Sequence, residues 1–565
     1  MAPLLAASGS ILRKSARSLS FSLACAAAFM VVLAVASRCH LPQTSEAPQP
    51  LADFGWETLF FGVLATVARL FGATLLALVM AFLIAVTAVK TQFAQGILRS
   101  FVNVLRETPV LGFLPFLKFL GTEISVVGLT AAALVWNMSH ALMKALENVP
   151  TDLEEAARGL GLTSWQRLWR LEAPFAIPAL VAALAASMPT AWMALIAAEM
   201  LSIAGSAPVT PGVGAYAAVA ALHNNVVALV GLAAIMALIV AVYDLALMRP
   251  WQSWSMRYRL DSGSDVSDPW MLSIWRRSQS VKWLGEKIRR GLAWIGGMPF
   301  GARRPRLLRK SFFFVPYSVG SAISVGICMA ALLAFVGHQE LRLIDLAVVT
   351  ELGLLTAYRV LLVVLFSCLI WLPIGVWLGL RSETAQRFQP LMRLLALYPV
   401  NIVFPLAGWA AWHDSRLFAS LWPEILIFLG AQWAVLAHIL KGMRAFPDDL
   451  LQAARNMNVS GMLWWRRVLL PGLAPHILTG FMASSTVAWN IAILAEMVTW
   501  YGDAFFAPGL GQYIAQKMWS GDLPHIALGI AALCLYMVMM KRLLWQPLYG
   551  QIERRFNSPA LRSRD

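Results

Sequence analysis

Two arginines stand deep inside apolar runs, Arg69 in the run at about 57–88 and Arg359 in the run at about 354–380. An unpaired charge in a bilayer costs ~2.5 kcal/mol or more, so each must face a partner or an aqueous cavity. A planar guanidinium suits two uses equally, a fixed tie between helices and a contact for a passing anion. Carboxylates that could serve as ties are few by sequence: Glu107 and Glu147 are nearest, and neither has an acidic counterpart in the second half of the chain. Glu199 and Glu496 close later apolar runs and fit a structural or gating role. Asn137 and Asn490 can hydrogen-bond between helices and join the two arginines as candidates for lining a solute path. His140 and His438 read as packing residues.

Reaction chemistry is absent from the pattern. There is no nucleophile constellation, paired carboxylate or metal-spaced histidine cluster, and no phosphate loop of the form G-x-x-x-x-G-K-[ST], so the chain is expected neither to be an enzyme nor to hydrolyse ATP itself. The five cysteines (Cys25, Cys39, Cys328, Cys368, Cys534) are scattered and unpaired in spacing, and read as packing residues rather than metal or redox ligands.

Two hydrophilic loops repeat one spacing. In loop 150–174, Glu155-Ala156-Ala157 is followed by three residues, Gly161, and then Pro174 thirteen positions on; in loop 447–471, Gln452-Ala453-Ala454 is followed by three residues, Asn458, and Pro471 at the same separation. Thr151 with Glu154 three positions later reads as a capping box, and Glu-Ala-Ala-Arg favours helix, so a short helix is expected from about Asp152. Gly161 is placed for a left-handed turn out of that helix, and Asn458 is the next residue type to tolerate that region. Gln452 keeps the shape of Glu155 and loses its charge.

These features sit in a very apolar chain. Of 565 residues, 59% are hydrophobic and 13% charged, with mean hydropathy +0.68, against ~25% charged in soluble proteins. The chain is therefore expected to be an all-α polytopic membrane protein. Apolar runs fall at about 19–36, 57–88, 98–119, 124–145, 174–197 and 225–248, and again at about 313–336, 354–380, 391–411, 422–441, 471–494 and 523–544. That is two parallel six-helix repeats, about twelve spans, with units 1–250 and 312–565. The first run could be a cleaved signal peptide, but its counterpart at 313–336 argues for a retained helix. An offset of 297 relates Glu155 to Gln452, Pro174 to Pro471, Glu199 to Glu496 and Pro211 to Pro508, and an offset of 290 relates Arg69 to Arg359 and Pro109 to Pro399.

The net charge of +16 is explained by topology rather than by nucleic acid. With both termini inside, Lys and Arg collect in the cytoplasmic segments, including both loops, as the positive-inside rule requires. Between the repeats lies a basic linker, 251–311, whose stretch 268–294 alternates Trp270, Ile274, Trp275 and Trp283 with Arg276, Arg277, Lys282 and Lys287, the composition of an amphipathic helix lying on anionic lipid.

The loop pattern resembles the EAA loop of ABC importer permeases, and the likeness extends over nearly the whole chain. Trp489-Asn490-Ile491-Ala492, Ala495-Glu496-Met497 and Pro508-Gly509-Leu510-Gly511-Gln512-Tyr513 are similar to the nitrate/sulfonate/taurine-type permeases. The resemblance implies a type I importer fold and a bacterial inner-membrane location. It implies short coupling helices that seat two ATPase subunits or domains through Asp152, Glu155, Ala156, Ala157 and Gly161 and through Asp449, Gln452, Ala453, Ala454 and Asn458. It further implies an extracytoplasmic substrate-binding protein, ATP and Mg held by the ATPase partners rather than by this chain, and a small anionic cargo of the nitrate, sulfonate, taurine or bicarbonate kind. Fused iron- or thiamine-type permeases are the nearest alternative, and a twelve-helix secondary transporter is the alternative of another class.

Overall fold

The computed structural model describes residues 56–91, 98–113 apart from 100, 104 and 107, 122–200, 211–259, 270–298 with 300, 342–413 and 416–556. The expected runs at 19–36 and 313–336 lie outside these residues. The first half includes the helices α1 (Trp56–Lys90), α2 (Thr122–Glu147), α3 (Thr151–Gly159), α4 (Ala173–Met200), α5 (Val213–Leu222) and α6 (Val226–Tyr243), with shorter helical turns at Ser164–Arg167 and Arg249–Ser255. The linker contributes α7 (Trp270–Arg277) and α8 (Gln279–Gly297). In the second half are α9 (Leu343–Gly379), α10 (Ser382–Leu397), α11 (Phe404–Trp412), α12 (Arg416–Arg444), α13 (Asp448–Asn456) and α14 (Leu470–Ala495), then strands β1 (Met497–Trp500) and β2 (Asp503–Phe506), then α15 (Leu510–Trp519) and α16 (Leu523–Met539).

Helix α1 shows why these helices pack as they do. Leu70, Ala73, Ala77, Ala81, Ala85 and Ala88 recur at three- and four-residue spacing and are fully buried, whereas Phe60, Phe61, Leu64, Phe71 and Leu75 are exposed. Lipid is as apolar as a large side chain, so the large residues gain little by facing inward and small ones let backbones approach. This stripe seats α1 on α2, and α2 packs on α4; in the second half α9 packs on α12 and α12 on α14. Among the described residues eight helices are long and apolar enough to cross a membrane, each at a run expected from the sequence.

The run at 391–411 differs from expectation. It is a broken pair, Glu383–Leu397 and Val400–Trp412, bent by 71°. Pro399 lacks an N–H and forces Tyr398 out of the helical region (φ −66°, ψ 127°), so the helix stops and restarts through a 3-10 turn, Val400–Val403. The first half has the equivalent turn, Val110–Phe113, behind Pro109. The two turns cross between the halves. Val110 N donates to Asn490 Oδ1 of α14 at 3.1 Å, and Asn401 Nδ2 donates to the Met193 carbonyl of α4 at 3.0 Å. Met193 and Asn490 are equivalent in the 297-residue register, so the contacts are related by the pseudo-symmetry.

A two-stranded hairpin follows α14, where hydropathy alone gives no strand signal. β1 and β2 pair antiparallel, Met497 opposite Phe506 and Trp500 opposite Asp503, around Tyr501-Gly502, both at positive φ, the conformation of a two-residue hairpin turn. It reaches into the first half, where Tyr501 N donates to the Ala221 carbonyl at 3.0 Å and the buried Trp500 donates from Nε1 to Asn224 Oδ1 at 3.1 Å. The linker forms two helices broken at Ser278 rather than one. Trp270, Trp283 and Trp294 are exposed, and Lys287 stacks over the Trp283 ring.

Candidate functional site

The two loops form the short helices α3 and α13. Pro150 and Pro447 occupy the N-cap positions and make no side-chain cap. The expected capping box at Thr151 is not formed: Thr151 is already the first helical residue, and its hydroxyl reaches only Asp152, at 3.4 Å. A capping box occurs instead one element later, between Thr163 and Gln166. The exits match the expectation. Gly161 has φ +69° and Asn458 φ +52°, and each loop closes with the same pair of bonds, Leu162 N to Ala157 O and Gly161 N to Arg158 O, Val459 N to Ala454 O and Asn458 N to Arg455 O. This is the bond pattern of a left-handed helix terminus.

The equivalent side chains divide by role. Asp152, Glu155 and Ala156, and likewise Asp449, Gln452 and Ala453, are exposed, while Ala157 and Ala454 are buried. The last alanine of each triplet packs its helix against the body, while the preceding positions face outward. Leu160 and Met457, beside the turns, are 78% and 70% exposed and extend each outward surface with apolar area. The linker treats the copies differently. Trp165 Nε1 donates to the Ile295 carbonyl at 2.6 Å and Gln166 Nε2 to the Gly297 carbonyl at 3.2 Å, so the end of α8 is tied just beyond the first loop helix. The equivalents in the second copy, Met462 and Leu463, are exposed.

Away from the loops, each half builds one buried ionic brace. Arg69 donates from Nε and Nη2 to the Glu123 carboxylate at 2.8 and 2.6 Å, and from Nη1 to Glu199 Oε1 at 3.0 Å and the Pro211 carbonyl at 2.8 Å. Arg359 donates from Nε to Glu424 at 2.9 Å and from Nη1 to Glu496 at 3.0 Å and the Pro508 carbonyl at 2.5 Å. Glu199 and Glu496 are fully buried and also accept from Thr66 and Thr356, at 2.9 and 2.8 Å, and from the Gly214 and Gly511 amides, at 3.0 and 2.7 Å. Each buried charge is thus paired and hydrogen-bonded, as its burial requires.

The brace explains the sequence Pro211-Gly212-Val213-Gly214 and its repeat Pro508-Gly509-Leu510-Gly511. A β-carbon at Gly212 or Gly509 would overlap the glutamate carboxylate, and one at Gly214 would stand 2.6 Å from the Ile196 carbonyl. Of the two uses open to the arginines, the geometry is that of the fixed tie: Arg69 and Arg359 are held by carboxylates. Glu123 and Glu424 were missed because they do not share the register; 424 lies four residues beyond the 297-residue equivalent of 123, one helical turn along the corresponding helix. Asn490 is engaged between the halves as described, and Asn137 donates to Ser187 Oγ at 3.0 Å; the two are not structural equivalents.

Residues 73–249 and 371–556, together more than half of the chain, each match the family described as binding-protein-dependent transport system inner membrane component. The chain is 26% identical over 172 residues to the nitrate import permease protein NrtB of Leptolyngbya laminosa, covering 30% of this chain and 58% of that protein. It is 26% identical over 132 residues to the bicarbonate transport system permease protein CmpB of Synechococcus elongatus (23% and 46% covered). It is 25% identical over 198 residues to the taurine transport system permease protein TauC of Escherichia coli (34% and 69% covered). The chain spans about half the length of the first curated relatives it matches. No solved structure matches.

Proposed function

Because the chain belongs to the family of binding-protein-dependent transport system inner membrane components, an ABC permease of multi-pass membrane architecture, we propose that it forms the whole translocation path of an ATP-driven importer for a small anionic solute. The observation that carries this reading is the duplicated loop helix. Two equivalent, outward-facing helices of one chain, each ended by a left-handed turn, offer seats for two ATPase subunits or domains. In this reading the loops and both termini are cytoplasmic, the membrane is the bacterial inner membrane, and a binding protein delivers solute at the opposite face, where the hairpin and the braces stand. ATP and Mg belong to the ATPase partners. Support for an anion comes from the relatives matched, whose names specify nitrate, bicarbonate and taurine, and no longer from Arg69 and Arg359. The linker's exposed Trp270, Trp283 and Trp294 among basic residues support its lying against anionic lipid.

The test is reconstitution of the chain with its ATPase and binding protein in proteoliposomes. Uptake of labelled nitrate, bicarbonate or taurine is expected only with hydrolysable ATP, and native mass spectrometry is expected to find one copy of this chain with two ATPase domains. Uptake that proceeds without ATP, or two copies of the chain per complex, would overturn the reading.

A further inference from the structure

A cavity of about 610 Å³ opens between the halves on the face that carries α3 and α13, lined among others by Arg249, Gln252, Trp270, Gln386, Gln389 and Arg393. We propose that it is a binding site for an oxyanion, presented as a free ion or as a phospholipid headgroup. Its charge is set by three residues. Arg393 donates from Nε to Asp244 Oδ1 at 2.9 Å and from Nη2 to Gln252 Oε1 at 2.8 Å, with Nη2 also 2.7 Å from Asp244 Oδ1 as an ion pair; Arg249 donates from Nε to Asp244 Oδ2 at 2.8 Å. Two guanidiniums therefore share one buried carboxylate and leave one positive charge uncompensated within the cluster. Both Nη groups of Arg249 and Nη1 of Arg393 have no protein acceptor among the described residues, and both side chains keep about a third of their surface open, 29% and 32%.

The rest of the wall suits the same ligand. Gln389 accepts from Arg444 through its carbonyl at 3.3 Å, which leaves its amide N–H groups available as donors, and Trp270 adds an aromatic wall from the linker. Guanidinium forks match the geometry of an oxyanion, and the charge-assisted bonds they make are the strong ones. The site is not a duplicate of anything on the pseudo-symmetric path. In the repeat register Asp244, Arg249, Gln252 and Arg393 correspond to Lys541, Gln546, Tyr549 and Asn103. It is built once, from the end of the first half, the linker and α10, as two non-identical halves allow.

The experiment has two arms on the purified full-length protein. In lipid-free detergent, sodium sulfate is titrated calorimetrically at constant ionic strength set by chloride. In nanodiscs of mixed phosphatidylglycerol and phosphatidylcholine, native mass spectrometry counts retained lipid. Arg249→Gln, which installs the residue of the other half, is expected to weaken the bound species about tenfold, the loss of one charge-assisted bond pair, and Arg249→Lys to recover part of it. Trp270→Ala, a change in the wall alone, is the second variant and is expected to weaken binding several-fold. A difference in the sulfate arm identifies a free oxyanion, and selective loss of phosphatidylglycerol identifies a headgroup; either supports the site. Wild type, Arg249→Gln and Trp270→Ala behaving alike in both arms would overturn it. ATP-driven uptake is scored separately, so failure of the transport reading leaves these binding results standing.

Discussion

The braces make a quantitative prediction that separates a structural tie from a solute contact. Arg69→Met removes the cation from Glu199, which is 0% exposed, while the Thr66 hydroxyl at 2.9 Å and the Gly214 amide at 3.0 Å remain. Breaking a buried pair from one side costs ~3–5 kcal/mol, and the surviving hydrogen bonds from Thr66 and Gly214 place this case at about 3 kcal/mol, near the lower bound. Glu123 adds little, since its side chain is 57% exposed and loss of an exposed pair is worth ~0–1 kcal/mol. Arg69→Met combined with Glu199→Leu removes both charges and leaves the Gly214 amide without its carboxylate acceptor, while the Thr66 hydroxyl keeps the Gly62 carbonyl at 3.0 Å and the Val213 amide at 3.0 Å. The double variant is therefore expected to cost less than the sum of the single ones, with a coupling on the order of 2 kcal/mol. Unfolding by SDS titration in mixed micelles measures all three, and Arg359 with Glu496 repeats the cycle. Single costs below ~1 kcal/mol, or costs that simply add, would refute the tie and return the arginines to an aqueous path.

Glu155→Ala is expected to reduce ATP-driven uptake more than Gln452→Ala, because only the first exposed loop helix carries a charge at that position; equal losses would remove the asymmetry. Gly161→Val is expected to uncouple ATP hydrolysis from uptake and to destabilise the loop by about 1–2 kcal/mol. A β-carbon there meets no atom within 4 Å, so the effect is purely that of φ +69°, and unchanged coupling would refute it. Gly509→Ala is expected to lower stability by about 1–3 kcal/mol through overlap with the Glu496 carboxylate, since its φ of 171° is open to any residue; an unchanged SDS midpoint would show that the cradle yields.

What was legible in the sequence was what repeats. The eight continuous spans, the two loop helices and the left-handed exits at Gly161 and Asn458 follow from hydropathy and from one residue-type rule applied at equivalent positions. What was not legible depended on tertiary placement. Glu123 lies only one helical turn out of register with Glu424, enough to hide the pairing from a residue-by-residue comparison although each reaches the equivalent guanidinium of its own half, Arg69 or Arg359. Pro150 displaced the capping box because a helix that starts at Thr151 leaves that residue no capping role, a difference of one position that propensity cannot resolve. The hairpin at 497–506 is short and supported by contacts to Ala221 and Asn224 in the other half, information that no local window contains.

Fusion releases equivalent positions from having to be identical, and the structure uses that freedom near the loop helices. In the first half Glu172 is buried and pairs with Lys90 at 2.6 Å and Arg167 at 2.9 Å. The register places Leu469 at the position of Glu172 and Trp464 at that of Arg167, and these pack in an apolar cluster with Phe446 and Leu473. A buried ion pair and a well-packed apolar set of similar volume are close in stability, so the exchange preserves the fold while changing how each loop is held. The first loop is fixed by charges and by the linker at Ile295 and Gly297; the second is fixed by hydrophobic packing and leaves Met462 and Leu463 open. Two identical chains would carry either arrangement twice, because each residue would have to serve both positions. The single chain holds one of each, together with the cationic cavity between residues 245–256 and α10, and these differences fall on the face that presents α3 and α13.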